Sequence, residues 1–174
     1  MDIEIKIVEE RNLSVLTQII RETFEKAFGP DNTAENMTHY LENNLSDEKI
    51  TNEFLHPDSQ FFFAWQAQEI RGYLKLNWGQ AQTENTYSNG LEIERIYVNG
   101  NSQGLGIGKK LLDFAIRWAR ENQHNPLWLG VWEHNKGAIR FYERHGFSAF
   151  AKHPFFLGDD RQIDILMKQD LNNP

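Results

Sequence analysis

Between Leu91 and Asn122 the chain changes its periodicity, and it makes the change through glycine. LEIERIYV alternates as a strand does, QGLGIGKK places glycine at 104, 106 and 108, and LLDFAIRWAREN has the apolar spacing of an amphipathic helix. Glycine at every second position just before a helix marks a main chain that something must approach closely, because a missing Cβ removes a barrier and frees φ. Successive N–H groups at a helix start, with the positive end of the helix dipole behind them, suit an anion. A glycine-rich loop that only turns the chain is the alternative, and the loop by itself does not choose.

The flanking segments supply the architecture. DIEIKIV alternates like a strand, and LSVLTQIIRETFEKAF sets Leu13, Leu16, Ile19, Ile20, Phe24 and Phe28 on one helical stripe. After the breaker GPDN, Asp31 or Thr33 can cap a second helix through Leu45, and Ser46 a third that ends near His56. QFFFAWQ and IRGYLKLNW, joined by a tight polar turn around Gln68 and Glu69, read as a hairpin. PLWLGVW is again a strand, NKGAIRFYERHG a helix closed by Gly146, and FSAFAK and QIDILMK two final strands. The order is β-α-α-ββ, then β-loop-α-β-α-ββ: an α/β chain on a mixed sheet. At 174 residues, one domain spanning 1–174 is expected.

Several functions are excluded at this level. With no cysteine there is no disulfide framework, no thiolate metal site and no cysteine nucleophile. The six histidines form no H-x-x-x-H pair and no HExxH string, so no metal is expected. A net charge of −7 argues against nucleic acid and admits a cationic partner. FFFAW is the longest apolar run, far short of the roughly 18 residues of a membrane span, and the amino terminus lacks a basic-then-apolar signal. A cytoplasmic chain with no membrane segment is expected, and a homodimer is compatible with it.

The glycine loop can be tested against known phosphate cradles. A P-loop needs G-x-x-x-x-G-K-[ST], but Gln103 and Lys110 stand at its two ends. A dinucleotide loop needs G-x-G-x-x-G, but Lys109 stands where the third glycine belongs. What remains is Gln103-x-x-Gly106-x-Gly108, preceded five positions earlier by Val98. Downstream, Asn135, Ala138, Phe141, Tyr142, Gly146 and Phe147 recur at helical spacing and pass through a glycine stop into a strand.

These two motifs resemble the GNAT superfamily of acetyl-CoA-dependent N-acetyltransferases, whose loop reads Q/R-x-x-G-x-G/A and whose later motif reads N-x-x-A-x-x-F/L-Y-x-x-x-G-F. The chain matches every position, from about Leu91 to Phe147 in detail and elsewhere in element order. LEIERIYV, LWLGVWEHN and FFLGDDRQIDILMK further resemble the PaiA-type bacterial spermidine/spermine N-acetyltransferases. The resemblance implies a sheet splayed where the coenzyme enters. It implies acetyl-CoA as cosubstrate, with pyrophosphate on the amides of Gln103, Gly104, Leu105, Gly106, Ile107 and Gly108. Lys109 and Lys110 add positive charge nearby, and by the resemblance the backbone of Ile96, Tyr97 and Val98 meets the pantetheine arm and acetyl carbonyl. Tyr142 matches the tyrosine that returns a proton to the departing thiolate. Asn135 matches a residue that bonds the coenzyme, and it suits a helix N-cap as well.

Amine acetylation also needs a proton acceptor, because a primary amine with a pKa of about 10 is mostly protonated near neutrality. Glu92 and Glu94 are the candidates. Two apart, in a regular strand they share a side with Ile96 and Val98. Salt bridges to Arg95 or Arg71 are the structural alternative for both, and the sequence does not choose between the two glutamates. The five tryptophans are expected in the core, with Trp78, at a strand end, the one that could touch substrate. From Arg21 to Gln60 nine acids face three bases, a balance of −6. In the GNAT fold this helical region overhangs the acceptor groove, so its field suits a polyamine or another small cationic amine. A protein or peptide amine, or a non-catalytic acyl-CoA sensor, are the other readings.

Overall fold

The computed structural model describes residues 2–172. Their strands are β1 (Glu4–Ile7), β2 (Ser59–Gln66), β3 (Glu69–Asn77), β4 (Leu91–Val98), β5 (Leu127–Trp132), β6 (Ser148–Leu157) and β7 (Asp160–Gln169). They form one sheet in the order β1-β2-β3-β4-β5-β7-β6. β4 and β5 are parallel, and every other neighbouring pair is antiparallel. A parallel pair needs a crossover, supplied here by α4 (Ile107–Glu121), which comes directly after the glycine loop. The other helices are α1 (Leu13–Phe28), α2 (Ala34–Asn43), α3 (Asp47–Leu55) and α5 (Lys136–Arg144).

Three helices therefore precede β2, where the condensed order β-α-α-ββ shows two. The reason is local: Thr33 Oγ1 accepts the Asn36 N–H at 3.1 Å and Ser46 Oγ accepts the Lys49 N–H at 3.3 Å, so each short helix has its own cap. The β2–β3 turn falls on Ala67 and Gln68, both left-handed with φ of 49° and 66°, one residue earlier than the sequence suggests. β6 also outruns its expected end at Lys152. It continues through Pro154 to Leu157, because on an edge strand the missing proline N–H breaks no ladder bond.

The sheet is covered on both faces. Leu74, Leu76, Ile93 and Leu129 pack under α4, which buries Leu111, Leu112, Ala115 and Ala119. Leu111 and Leu112 are fully buried, and truncating either to Ala costs about 2–5 kcal/mol. On the opposite face Phe61, Phe63 and Tyr73 pack against Leu16 and Ile20 of α1 and Ile50 beside them.

Two irregularities in β4 shape the cleft. The strand pairs with β5 only at Leu91–Leu127, Glu92–Trp128 and Ile93–Leu129, after which both strands continue apart, to Val98 and Trp132. The sheet opens there into a fork. At the same place β3 pairs Leu76 with Ile93 and Lys75 with Arg95, leaving Glu94 as an extra residue in a β-bulge.

Candidate active site

The bulge reverses the alternation of β4. Ile96 and Val98 pack against the α4 core, whereas Tyr97 joins the core under α1. Glu92, Glu94 and Arg95 all reach partners on the α1 side, since Asn77 Nδ2 donates to Glu92 at 3.2 Å and to Glu94 at 2.8 Å. The expectation that both glutamates share a side with Ile96 and Val98 is thus corrected: the count by twos holds only in a regular strand, and the extra residue shifts everything beyond it.

The two carboxylates differ sharply. Glu94 ion-pairs with Lys75 and Arg95, and Glu53 of α3 holds the same two cations, with Lys75 Nζ at 2.9 Å and Arg95 Nη1 at 2.6 Å. Burial opposes ionisation of Glu94, but Arg95 and Lys75 prevail and hold its carboxyl down at about 2. Such a group stays ionised and accepts protons poorly. Glu92 has no ion pair among the described residues, and Arg71 bonds Glu69 instead. Glu92 is buried under the loop between β3 and β4, where it accepts the Thr83 N–H at 2.8 Å and the Thr83 hydroxyl at 2.5 Å. Burial pushes the Glu92 carboxyl above its ordinary value, and the Thr83 bonds pull against it without reversing the sign. Thr83 itself is exposed, so the hydroxyl links a buried carboxylate of raised basicity to the surface.

Across the fork, α5 ends at Gly146, whose φ of 89° allows a Schellman stop. Phe147 N–H donates to the Tyr142 carbonyl at 3.0 Å and Gly146 N–H to Glu143 at 3.1 Å. The apolar contact that accompanies this motif is Phe147 on Tyr142, ring centroids 5.7 Å apart, and it fixes the tyrosine ring. Burial pushes the Tyr142 phenol well up, and the Tyr97 phenol of β4 adds to the effect. Tyr142 therefore lies within electrostatic reach of the opposite limb and stays protonated at neutral pH. Asn135 accepts the Ala138 N–H at 3.1 Å, the N-cap role that the sequence allows.

At the mouth of the fork, Gly104 and Gly106 take φ of 82° and 75°. A Cβ at either would meet nothing within 4 Å, so the backbone conformation and not crowding by the chain requires glycine there. Gly106 caps α4 without a side-chain bond, and the first N–H turned back into the helix is that of Lys110, to Gly106 at 3.1 Å. The N–H groups of Ile107, Gly108 and Lys109 face outward with the helix dipole. Lys109 bonds Asp113 at 2.5 Å on the exposed helix face, so its charge is shared. An open loop of amides at the mouth of a splayed sheet fits a pyrophosphate with a linear arm running down the fork.

Residues 15–147 match the acetyltransferase (GNAT) family. The chain belongs to the GNAT family of N-acetyltransferases. It is 45% identical over 169 residues, 97% of this chain and 98% of the relative, to an uncharacterized N-acetyltransferase in the pepI 3' region of Lactobacillus delbrueckii subsp. lactis. A probable spermine N(1)-acetyltransferase of Bacillus subtilis subsp. natto is 36% identical over 56 residues, 32% of this chain and 37% of that protein. The crystal structure of the PaiA N-acetyltransferase of Thermoplasma acidophilum with coenzyme A shares the fold, with a TM-score of 0.78, 22% identity and coverage of 98% of this chain and 99% of that one.

In this acetyltransferase the helix face of the fork is lined with rings. Phe24 stacks on Tyr40 at 4.5 Å, Phe28 stands 6.1 Å from both Trp132 and Phe155, and Tyr40 meets Phe155 at 5.9 Å. Trp132, expected in the core, is only half-buried and belongs to this wall. Trp78 instead packs on Trp118 at 5.0 Å, near the far end of α4 from the glycine loop. Of the acidic helices, Glu22, Glu25 and Asp47 line a separate cavity of about 640 Å³ between α1 and α3, and Glu53 is engaged with Lys75 and Arg95. The sequence did not single out Asn77 and Thr83, which orient the carboxylates. Nothing local marks them, because their partners lie 15 and 9 residues away.

The cradle can be probed by charge alone. Gly106→Asp adds a carboxylate where the pyrophosphate is expected, and Gly106→Asn adds the same shape without charge. Both residues tolerate left-handed φ, and the space is open. By calorimetry, CoA should bind the Asp variant at least about 10-fold more weakly than the Asn variant, the size of one close charge contact. Equal affinities for the two variants would remove the pyrophosphate from this loop.

Proposed function

We propose that this acetyltransferase acetylates a small polycationic amine, with a polyamine such as spermidine or spermine as the leading acceptor, by direct attack in a ternary complex. The observation that carries the catalytic part is the fork itself, with Glu92 and Thr83 paired at its closed end and Tyr142 of α5 beside it. Acetyl-CoA supplies the thioester carbonyl. Residues 103–108 would hold its pyrophosphate, and main-chain groups of Ile96, Tyr97 and Val98, beyond the last β5 pair, would border the acetyl group. An ammonium arriving from the helix face gives a proton to Thr83 Oγ1 as the hydroxyl passes its own to Glu92 Oε1. The freed amine nitrogen then bonds to the carbonyl carbon, and the C–S bond breaks. Tyr142 donates its proton to the sulfur as it leaves, and the second proton of the acylated nitrogen is lost to solvent, from which the phenolate is reprotonated, so that the products are the amide and the free thiol.

The acceptor class is supported by the acidic balance of the first helices and by the partial likeness to a protein named a probable spermine N(1)-acetyltransferase. Long-range attraction is screened over about 8 Å at physiological ionic strength. In a thiol-release assay with spermidine, spermine, 1-aminobutane and a peptide amine, the polyamines should be the better substrates. Their KM should rise with added salt while that of 1-aminobutane stays nearly flat. Acetylation of the peptide amine with none of the polyamines would overturn this acceptor class and leave the family assignment intact.

A further inference from the structure

One carboxylate at the fork has no part in the acetyl transfer. Asp164 lies on β7, in register with Trp132 of β5 on one side and His153 of β6 on the other, on the same sheet face as the aromatic wall. Among the described residues nothing donates a hydrogen bond to its carboxylate and no salt bridge reaches it. His153, its register partner on β6, is drawn instead to Glu84, with Nδ1 2.5 Å from Oε1. Burial pushes the Asp164 carboxyl up, with His153 pulling it back. Its charge also acts on the Tyr97 phenol of β4, whose ring packs on the same side of the sheet.

The surroundings match a bound cation. Trp132, opposite Asp164 in the ladder, and the rings of Phe28 and Phe155 that cluster with it are partly exposed, and aromatic rings attract ammonium groups. Between Trp128 and Trp132 the same face of β5 carries only Gly130, which is exposed. A Cβ built there would stand 3.4 Å from Leu166 Cδ2 and 3.5 Å from Asp164 Oδ2, which places the carboxylate and an apolar neighbour beside the exposed glycine. Glu92 is in register with Trp128 and Asp164 with Trp132. At 3.3 Å per residue, those two levels lie about 13 Å apart along β5. That stretch of β5 thus joins a proton-accepting carboxylate at one end to an unpaired carboxylate ringed by aromatics at the other.

We propose that Asp164, with the rings of Trp132, Phe28 and Phe155, is the anchor for a second ammonium group of the acceptor, remote from the amine being acetylated, and that the intervening chain lies over Gly130. This rests on the reading of the fork's helix face as the acceptor side. It deepens that reading by naming the residue that separates a polyamine from a monoamine. Asp164 binds and orients and takes no proton in the reaction.

The test is direct binding of spermidine without coenzyme, followed by tryptophan fluorescence, with Trp132→Phe identifying the reporter. Wild-type protein should give a saturable change that Trp132→Phe abolishes, and Asp164→Asn should weaken the affinity at least about 10-fold. Asn is isosteric, and only the backbone of Asp164 takes part in the ladder, so thermal unfolding of the variant should match wild type. In the rate assay, Asp164→Asn should raise the KM for spermidine by a similar factor. KM for 1-aminobutane and for acetyl-CoA should be unchanged. Undiminished spermidine binding by Asp164→Asn, or no saturable binding by wild type, overturns the anchor. Spermidine bound through Asp164 but not acetylated would uphold the anchor and refute the acceptor class. Spermidine acetylated equally well by both proteins would do the reverse.

Discussion

Glu92→Gln is expected to lower the single-turnover rate by about 10²- to 10⁴-fold, the range for removing a positioned general base. The variant should fold. Its amide oxygen can replace Oε2, accepting the Thr83 and Asn77 N–H groups, and its NH₂ can replace Oε1 and donate to a rotated Thr83 hydroxyl. The pH profile makes the result specific. A base must be deprotonated to act, and the Glu92 carboxyl is raised by burial, so the wild-type rate should fall as pH drops through a midpoint above the ordinary glutamate value. That acid limb should vanish in Glu92→Gln. It should persist in Glu94→Gln, because a carboxyl held at about 2 is already ionised across the range. An unchanged acid limb in Glu92→Gln would exclude this carboxylate as the acceptor of the proton.

Tyr142→Phe should reduce the same rate by about 10²- to 10⁴-fold while CoA affinity stays within about 2-fold, since the ring keeps its Schellman contact with Phe147 and loses only the hydroxyl. The phenol is pushed up by burial, so it remains protonated throughout the working range and should contribute no midpoint of its own near neutrality. The defect should shrink with a thioester whose thiol is more acidic, because a better leaving group needs less help from an acid. A rate equal to wild type, or a defect independent of the leaving thiol, would reduce Tyr142 to a packing residue.

The sequence showed the parts of this site that depend on local chain chemistry. Gly104 and Gly106 are required by their own φ, Asn135 by the amide three residues on, Gly146 by the helix it ends, and each such requirement is written within a few positions. Glu92 and Glu94 were found by type but not told apart, since what separates them is spatial. Lys75 and Glu53 come from other elements, and Thr83 comes from a loop with no periodicity. The bulge was invisible for a related reason. Alternation extrapolates from one residue to the next, whereas an extra residue is defined only by the strand opposite. Asp164 sat inside QIDILMK, where one polar residue among apolar ones reads as the outward side of a strand. That side proved to be the wall of the fork.

The bulge at Glu94 also bears on which changes this chain can survive. Upstream of it, β4 turns its odd-numbered residues to the α4 side; downstream, its even-numbered ones. Loss of Glu94 would only restore a regular strand, with Arg95, Ile96, Tyr97 and Val98 still opposite Lys75, Leu74, Tyr73 and Gly72 and on their present faces; flattening the bulge without losing a residue, so that Glu94 paired with Lys75, would instead carry Arg95 and Tyr97 to the α4 side and Ile96 and Val98 to the α1 side. Substitutions in the segment alter one contact each. A slip of the pairing exchanges the two faces of everything downstream, so here the register that the bulge sets is held more tightly than the identity of most residues in it.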